Sequence, residues 1–132
     1  MRIKLDHVAI AVADLEAAIS DYEALGLTPE RVENVPTQKA NVAFLDVGGA
    51  HIELVAPTDP SSAVARSLEK RGEGLHHICL EVPDIELALA ALAAKGVQLV
   101  NEAPVPGAGG SRVAFIHPKS MRGVLVELVQ KV

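Results

Sequence analysis

Residues His7 to Leu27 (HVAIAVADLEAAISDYEALGL) and His77 to Val97 (HICLEVPDIELALAALAAKGV) repeat one pattern at an offset of 70 positions. His7 matches His77, Val12 matches Val82, Asp14 matches Asp84, Glu16 matches Glu86 and Gly26 matches Gly96. Further along, Val42-Ala43-Phe44 recurs as Val113-Ala114-Phe115, and Ile52-Glu53-Leu54-Val55 recurs as Val126-Glu127-Leu128-Val129. An internal repeat restricts a chain more than its composition does, because one supersecondary unit must then be built twice. Shared patterning accounts for the apolar matches. A histidine opening both halves and a glutamate closing both points instead to two copies of one module.

Local signals sketch that module. From His7 to Val12 the residues alternate, with Val8, Ile10 and Val12 on one face and His7, Ala9 and Ala11 on the other. Asp14 suits the N-cap of a helix from Leu15 to about Leu25, and Gly26 suits its stop. Strands are expected near 31–35, 41–47 and 51–56, with Gly48-Gly49 turning between the last two. The second half reads likewise: strand 76–82, cap Asp84, helix 85–95, stop Gly96, then strands near 97–101, 112–117 and 123–130. A short helix from about Ser62 to Lys70 links the halves. The Gly-rich stretch 104–112 has no strand-loop-helix context, so it reads as a hairpin or lid and not as a phosphate loop. The predicted class is α+β: one domain over 1–132 made of two tandem βαβββ modules (about 1–57 and 74–132, with a linker helix about 58–73).

Strand parity selects the candidate site. His7 points away from the bulky Val8-Ile10-Val12 face, and His77 sits with Cys79 and Glu81 opposite Ile78, Leu80 and Val82. Glu53 opposes Ile52 and Leu54, and Glu127 opposes Val126 and Leu128. If the large aliphatics face the helices, His7, Glu53, His77 and Glu127 share the other surface. A buried carboxylate needs a partner, and imidazole with carboxylate suits Zn, Ni, Co, Mn or Fe(II). The plain alternative for any one of these histidines is a satisfied structural residue. His76 is a weaker ligand candidate because its parity puts it with Ile78; His51 shares the face of Glu53 and is a lesser candidate. His117 opens a loop and reads as a surface or substrate contact.

Composition narrows the function. A formal charge of -5 with no basic stripe argues against nucleic acid as a partner. No stretch approaches the roughly 20 apolar residues of a membrane span. A single cysteine, Cys79, allows no intrachain disulfide and fits a cytoplasmic protein. The strand-like run Ile3–Val8 follows the N-terminus at once, so no signal or transit peptide is expected.

The paired module, with His on its first strand and Glu on its last, resembles the vicinal-oxygen-chelate superfamily. Within it, Asp6-His7-Val8-Ala9-Ile10, Glu53-Leu54-Val55-Ala56-Pro57, Gly74-Leu75-His76-His77-Ile78, Phe115-Ile116-His117-Pro118-Lys119-Ser120 and Gly123-Val124-Leu125-Val126-Glu127-Leu128 resemble the methylmalonyl-CoA epimerase family over nearly the whole chain. The resemblance implies that the mixed sheets of the two modules curl into an open half-barrel around a metal site, helices outside, and that the protein is an isomerase interconverting (R)- and (S)-methylmalonyl-CoA by α-proton abstraction through a metal-stabilised enolate. It implies His7, Glu53, His77 and Glu127 as ligands of one divalent ion (Co, Zn, Mn, Ni or Mg), an acyl-CoA substrate and a homodimer. Some relatives carry Gln where this chain has Glu53, and some place a catalytic Glu where this chain has Val42. Epimerisation needs a base on one face of the carbanion and an acid on the other. With Val42 unable to serve, the ligand carboxylates Glu53 and Glu127, one from each module, are the expected pair. Gln38 and Lys39 are candidate contacts to the acyl group, and Lys119, Ser120 and Arg122 to CoA phosphates, with solvated side chains as the alternative.

Two other functions fit the same scaffold. Glyoxalase I also uses a His-Glu-His-Glu pattern, but this chain lacks an Arg- and Asn-based glutathione site early in module one. A metal-free ligand-sequestering protein of the bleomycin-resistance type would stack ligands on aromatics, which make up only 2% here.

Overall fold

The structure, a computed structural model, describes residues 2–132. It contains two compact units, one spanning His7–His76 and the other His77–Val132 with residues 2–6. The element order is β1 (Lys4–Ala11), α1 (Leu15–Glu23), β2 (Pro29–Val35), β3 (Ala40–Asp46), β4 (His51–Pro57), α2 (Ala63–Arg71), β5 (Gly74–Glu81), α3 (Ile85–Ala94), β6 (Val105–Pro106), β7 (Arg112–Ile116) and β8 (Val126–Gln130). The expected βαβββ order holds in both modules, and with it the α+β class.

In the first unit the strands run in the order β2-β3-β4-β1. The β2/β3 and β3/β4 pairs are antiparallel, and β1 joins β4 in parallel. The second unit repeats this order with β6-β7-β8-β5, in which β5 joins β8 in parallel. A parallel pair cannot be closed by a tight turn. The chain between first and last strand of each module therefore carries a helix and two further strands.

Each helix starts where the sequence places its cap. Asp14 accepts a hydrogen bond from the Ala17 N–H, and Asp84 accepts one from the Leu87 N–H. Each such cap satisfies a donor that the helix leaves unpaired and contributes about 1 kcal/mol. Gly26 (φ 93°) and Gly96 (φ 79°) take the left-handed conformation that lets the chain leave the helix without a Cβ clash. The helix α1 ends at Glu23, two residues before the expected Leu25, because the last turn tightens through Leu25 N–H to the Tyr22 carbonyl. Ser62 caps α2 rather than opening it, accepting from the Ala65 N–H.

Each module has its own core on the helix side of its sheet. Ile10, Val12, Ala43, Leu45, Ile52, Leu54 and Ala56 pack against Leu15, Ala18, Ile19 and Tyr22 in module one. Ala114, Ile116, Val126 and Leu128 pack against Ile85, Ala88, Leu89 and Leu92 in module two. Burying one such Leu or Ile contributes about 1.5–3 kcal/mol.

One expected strand is absent. Residues 97–101 make only an isolated bridge, Leu99 to Ile116, and the edge of the sheet is instead the two-residue β6. The segment keeps backbone bonds to the neighbouring strand, from the Val100 and Asn101 N–H groups to the Phe115 carbonyl and from the His117 N–H to the Gln98 carbonyl, and side chains supply the rest. Asn101 Oδ1 accepts the Phe115 N–H, and Ser120 Oγ accepts the Gln98 N–H, at points where a strand would use backbone partners. The Gly-rich stretch forms the hairpin between β6 and β7.

Candidate functional site

The parallel join of each module sets the register of the chemistry. In module one, Ala9 lies opposite Glu53, so His7 is two residues from the glutamate's partner and on the same face. In module two, Cys79 lies opposite Glu127, and His77 is again two residues back. Nδ1 of His7 lies 2.9 Å from Oε2 of Glu53, with side-chain exposures of 7% and 12%. Nε2 of His77 lies 2.9 Å from Oε1 of Glu127, with exposures of 8% and 10%. Two imidazole–carboxylate contacts of equal length thus occupy equivalent places on the face away from the helices. Small neighbours, Ala9 beside one and Cys79 beside the other, are fully buried and leave room for the larger polar groups.

These contacts fit a metal ion chemically. An imidazole and a carboxylate bound cis to one octahedral ion at about 2.1 Å each stand about 3 Å apart. The observed nitrogen–oxygen separations match that spacing within each module. Without an ion, the same atoms satisfy each other by an N–H···O bond, so burial costs little. Among the described residues no buried side-chain nitrogen or oxygen lacks a hydrogen-bond partner.

The remaining sequence candidates fall elsewhere. His51 pairs with Glu30 (Nε2 to Oε2, 3.1 Å) and, with Asp46, forms a cluster of ligand-type atoms within 4.8 Å of one another at the end of the β3–β4 hairpin. His76 is buried on the opposite parity to His77. Nδ1 of His117 accepts the Lys119 N–H and so organises the turn at Pro118–Met121. Ser120 Oγ is engaged by the Gln98 N–H at 2.9 Å. Lys39 (φ 52°) donates from Nζ to Ser61 Oγ at 2.7 Å, immediately after Gln38 ends a 3-10 turn.

Three residues of this face were not singled out from the sequence. Arg31 lies over the Phe44 ring, its guanidinium carbon 3.8 Å from the ring centre, and its Nε donates to Oε1 of Glu33 at 3.2 Å. The only local signal was alternation along β2, which separates Arg31, Glu33 and Val35 from Val32 and Asn34 without saying which set faces the site.

Two βαβββ modules, each joining its first and last strands in parallel and facing a His with a Glu across that join, define a protein of the vicinal-oxygen-chelate class. Residues 6–115 match the Glyoxalase/Bleomycin resistance protein/Dioxygenase superfamily. The chain is 42% identical to an ethylmalonyl-CoA/methylmalonyl-CoA epimerase of Cereibacter sphaeroides, covering 96% of this chain and 97% of that one. It is 40% identical to the mitochondrial methylmalonyl-CoA epimerase of Homo sapiens, covering 96% of this chain and 73% of the relative. A solved methylmalonyl-CoA epimerase in complex with methylmalonyl-CoA and NH4+ is 36% identical, with a TM-score of 0.94 over 100% of this chain and 96% of that one. The lactoylglutathione lyase of Arabidopsis thaliana is 32% identical, and the chain spans 43% of its length. This chain belongs to that superfamily and, within it, to the methylmalonyl-CoA epimerase family.

Proposed function

We propose that the protein interconverts the two C2 epimers of methylmalonyl-CoA. The observation that carries this reading is the repeated buried His–Glu contact, His7 with Glu53 and His77 with Glu127. Its support from relatives is the near full-length similarity to epimerases of this acyl-CoA. His7, Glu53, His77 and Glu127 are the residues proposed to hold one divalent ion. When bound, such an ion supplies Lewis-acid stabilisation of the negative charge that develops on a thioester oxygen.

The chain's own groups then handle the proton. C2 carries a proton made acidic by the thioester, and a carboxylate on one face removes it. A carboxylic acid on the other face returns one, which inverts the centre. Glu127 is the proposed group from module two, and Glu53 is the candidate within the ligand set from module one. Lys119 is the basic contact proposed for CoA phosphates. Lys39 and Ser120 are proposed substrate contacts that must share their polar atoms with Ser61 and the Gln98 N–H. Gln38, adjoining Lys39, is proposed as an acyl-group contact. A homodimer in the cytoplasm is the proposed assembly and location; Ile3, Leu5 and Leu75 are exposed apolar groups available to a second copy.

The test is proton exchange at C2. Incubation of one epimer of methylmalonyl-CoA with the metal-loaded protein in deuterated water should yield the other epimer with deuterium at C2. Methylglyoxal with glutathione should give no lactoylglutathione. Turnover of the second pair without the first would replace the epimerase reading with glyoxalase chemistry.

A further inference from the structure

We infer that Glu33 is the module-one carboxylate that exchanges the C2 proton, with Glu53 retained as a ligand; this rests on the epimerase reading and names a residue within it. The face that bears His7 and Glu53 can be followed strand by strand within the first unit. Glu53 on β4 lies opposite Phe44 on β3, and Phe44 lies opposite Arg31 on β2. One pleat along, Val55 lies opposite Val42, and Val42 lies opposite Glu33. Residues directly opposite in a sheet project to the same side. Glu33 therefore stands on the face of His7 and Glu53, beside Val42, a side chain with no proton to give.

Every carboxylate on this face has a partner, Glu33 included, and the partners differ. Glu53 is already the partner of His7. Glu30 is bonded to His51, and Asp46 accepts the Gly49 N–H in the hairpin turn. Glu33 differs in its setting. Arg31 donates to one of its oxygens from a guanidinium itself fixed on the Phe44 ring, which holds the carboxylate in one orientation. Its side chain is 30% exposed, so it can regain or lose a proton to water between turnovers. Strand spacing and rise place the Cα atoms of Glu33 and Glu53 about 12 Å apart, a gap that an acyl group can enter from between the two side chains.

The step balances without a further reactant. The C2–H bond breaks, its proton forms an O–H bond on the Glu33 carboxylate, and its electron pair moves into the thioester with charge gathering on oxygen. Return of a proton to the opposite face from the module-two carboxylic acid restores the C–H bond in inverted configuration. In the reverse direction the roles exchange.

Glu33→Gln separates this role from a structural one. Loss of one base in a two-base epimerase stops inversion but leaves exchange at the face served by the other base. The variant should lose at least about 100-fold in epimerisation rate. It should still incorporate deuterium into one epimer of methylmalonyl-CoA, with metal content and melting temperature like wild type. A second variant, Val42→Glu in the Glu33→Gln background, should recover part of the inversion by returning a carboxylate one strand away. Epimerisation within about threefold of wild type in Glu33→Gln overturns the inference. So does parallel loss of inversion and of exchange from both epimers, whether through misfolding or not, unless Glu33→Asp loses inversion alone. A wild-type protein inactive on methylmalonyl-CoA in both assays refutes the epimerase reading itself, and this inference with it.

Discussion

Metal linkage offers the strongest check on the ligand assignment. Consider stripping the protein with a chelator and titrating Co or Zn back while following thermal unfolding. An ion that binds only the native state at 100 times its dissociation constant stabilises that state by about 2.7 kcal/mol. A chain of 132 residues has an unfolding entropy of about 0.28 kcal/mol/K, so the midpoint should rise by about 10 °C. His77→Asn removes one imidazole and its edge-on contact with Phe115, whose ring centre lies 5.4 Å away. Loss of that contact costs about 0.5–1.5 kcal/mol, and depriving buried Glu127 of its imidazole partner about 1–3 kcal/mol more, which together lower the metal-free midpoint by about 5–16 °C. More tellingly, the metal-dependent rise should shrink to a small fraction of its wild-type value. His51→Asn supplies the control, because His51 belongs to the Glu30–Asp46 cluster at the hairpin end. Differential scanning calorimetry at fixed free metal reads both effects. If His51→Asn abolished the rise while His77→Asn and His7→Asn kept it, the ion would belong to the hairpin cluster and the four-ligand argument would fail.

Two further outcomes test the scaffold. Lys131 donates to Asp6 across 2.6 Å, and this hydrogen bond foremost holds the ammonium's pKa above its ordinary 10.5, with Glu81 at 3.9 Å adding to it. A raised folded value means the contribution is complete below the unfolded pKa and is lost as pH rises through the folded one. Lys131→Met should therefore flatten the alkaline end of the stability profile above about pH 10 by under about 1 kcal/mol, since the side chain is half exposed; an unchanged slope there would dissociate the pair from stability. Ile85, fully buried at the start of α3, should cost about 2–5 kcal/mol when replaced by Ala in urea unfolding. A loss under 1 kcal/mol would mean that the α3 core collapses around the cavity.

Much of the scaffold was legible because its signals are local. Asp14 and Asp84 announce helix starts through bonds to backbone N–H groups three residues away. Alternation along Val8-Ala9-Ile10 and Ile78-Cys79-Leu80 separates the two faces of each strand, and the large aliphatics pack on the helix side as it assigns, while Ala9, Ala11 and a small cluster of Cys79, Val113 and Val129 are buried on the other. The failure at 97–101 has the opposite origin. Those residues have the apolar content of a strand and keep some backbone pairing with 115–117, but Asn101 and Ser120 take the Phe115 and Gln98 N–H groups, and only an isolated bridge remains. Their partners, Phe115 and Gln98, are more than ten positions distant, outside the reach of any local pattern.

The sequence by itself determined that a module is built twice, where its helices begin, and which side of each central strand carries its histidine and glutamate. These follow from side-chain periodicity and capping, which act over a few residues. Only the tertiary structure decided that Ala9 faces Glu53 and Cys79 faces Glu127, and that Glu33 stands beside Val42 on the His7 face. Register between strands depends on contacts made after the intervening chain has crossed over. A shift of a single residue there would turn every side chain to the other face.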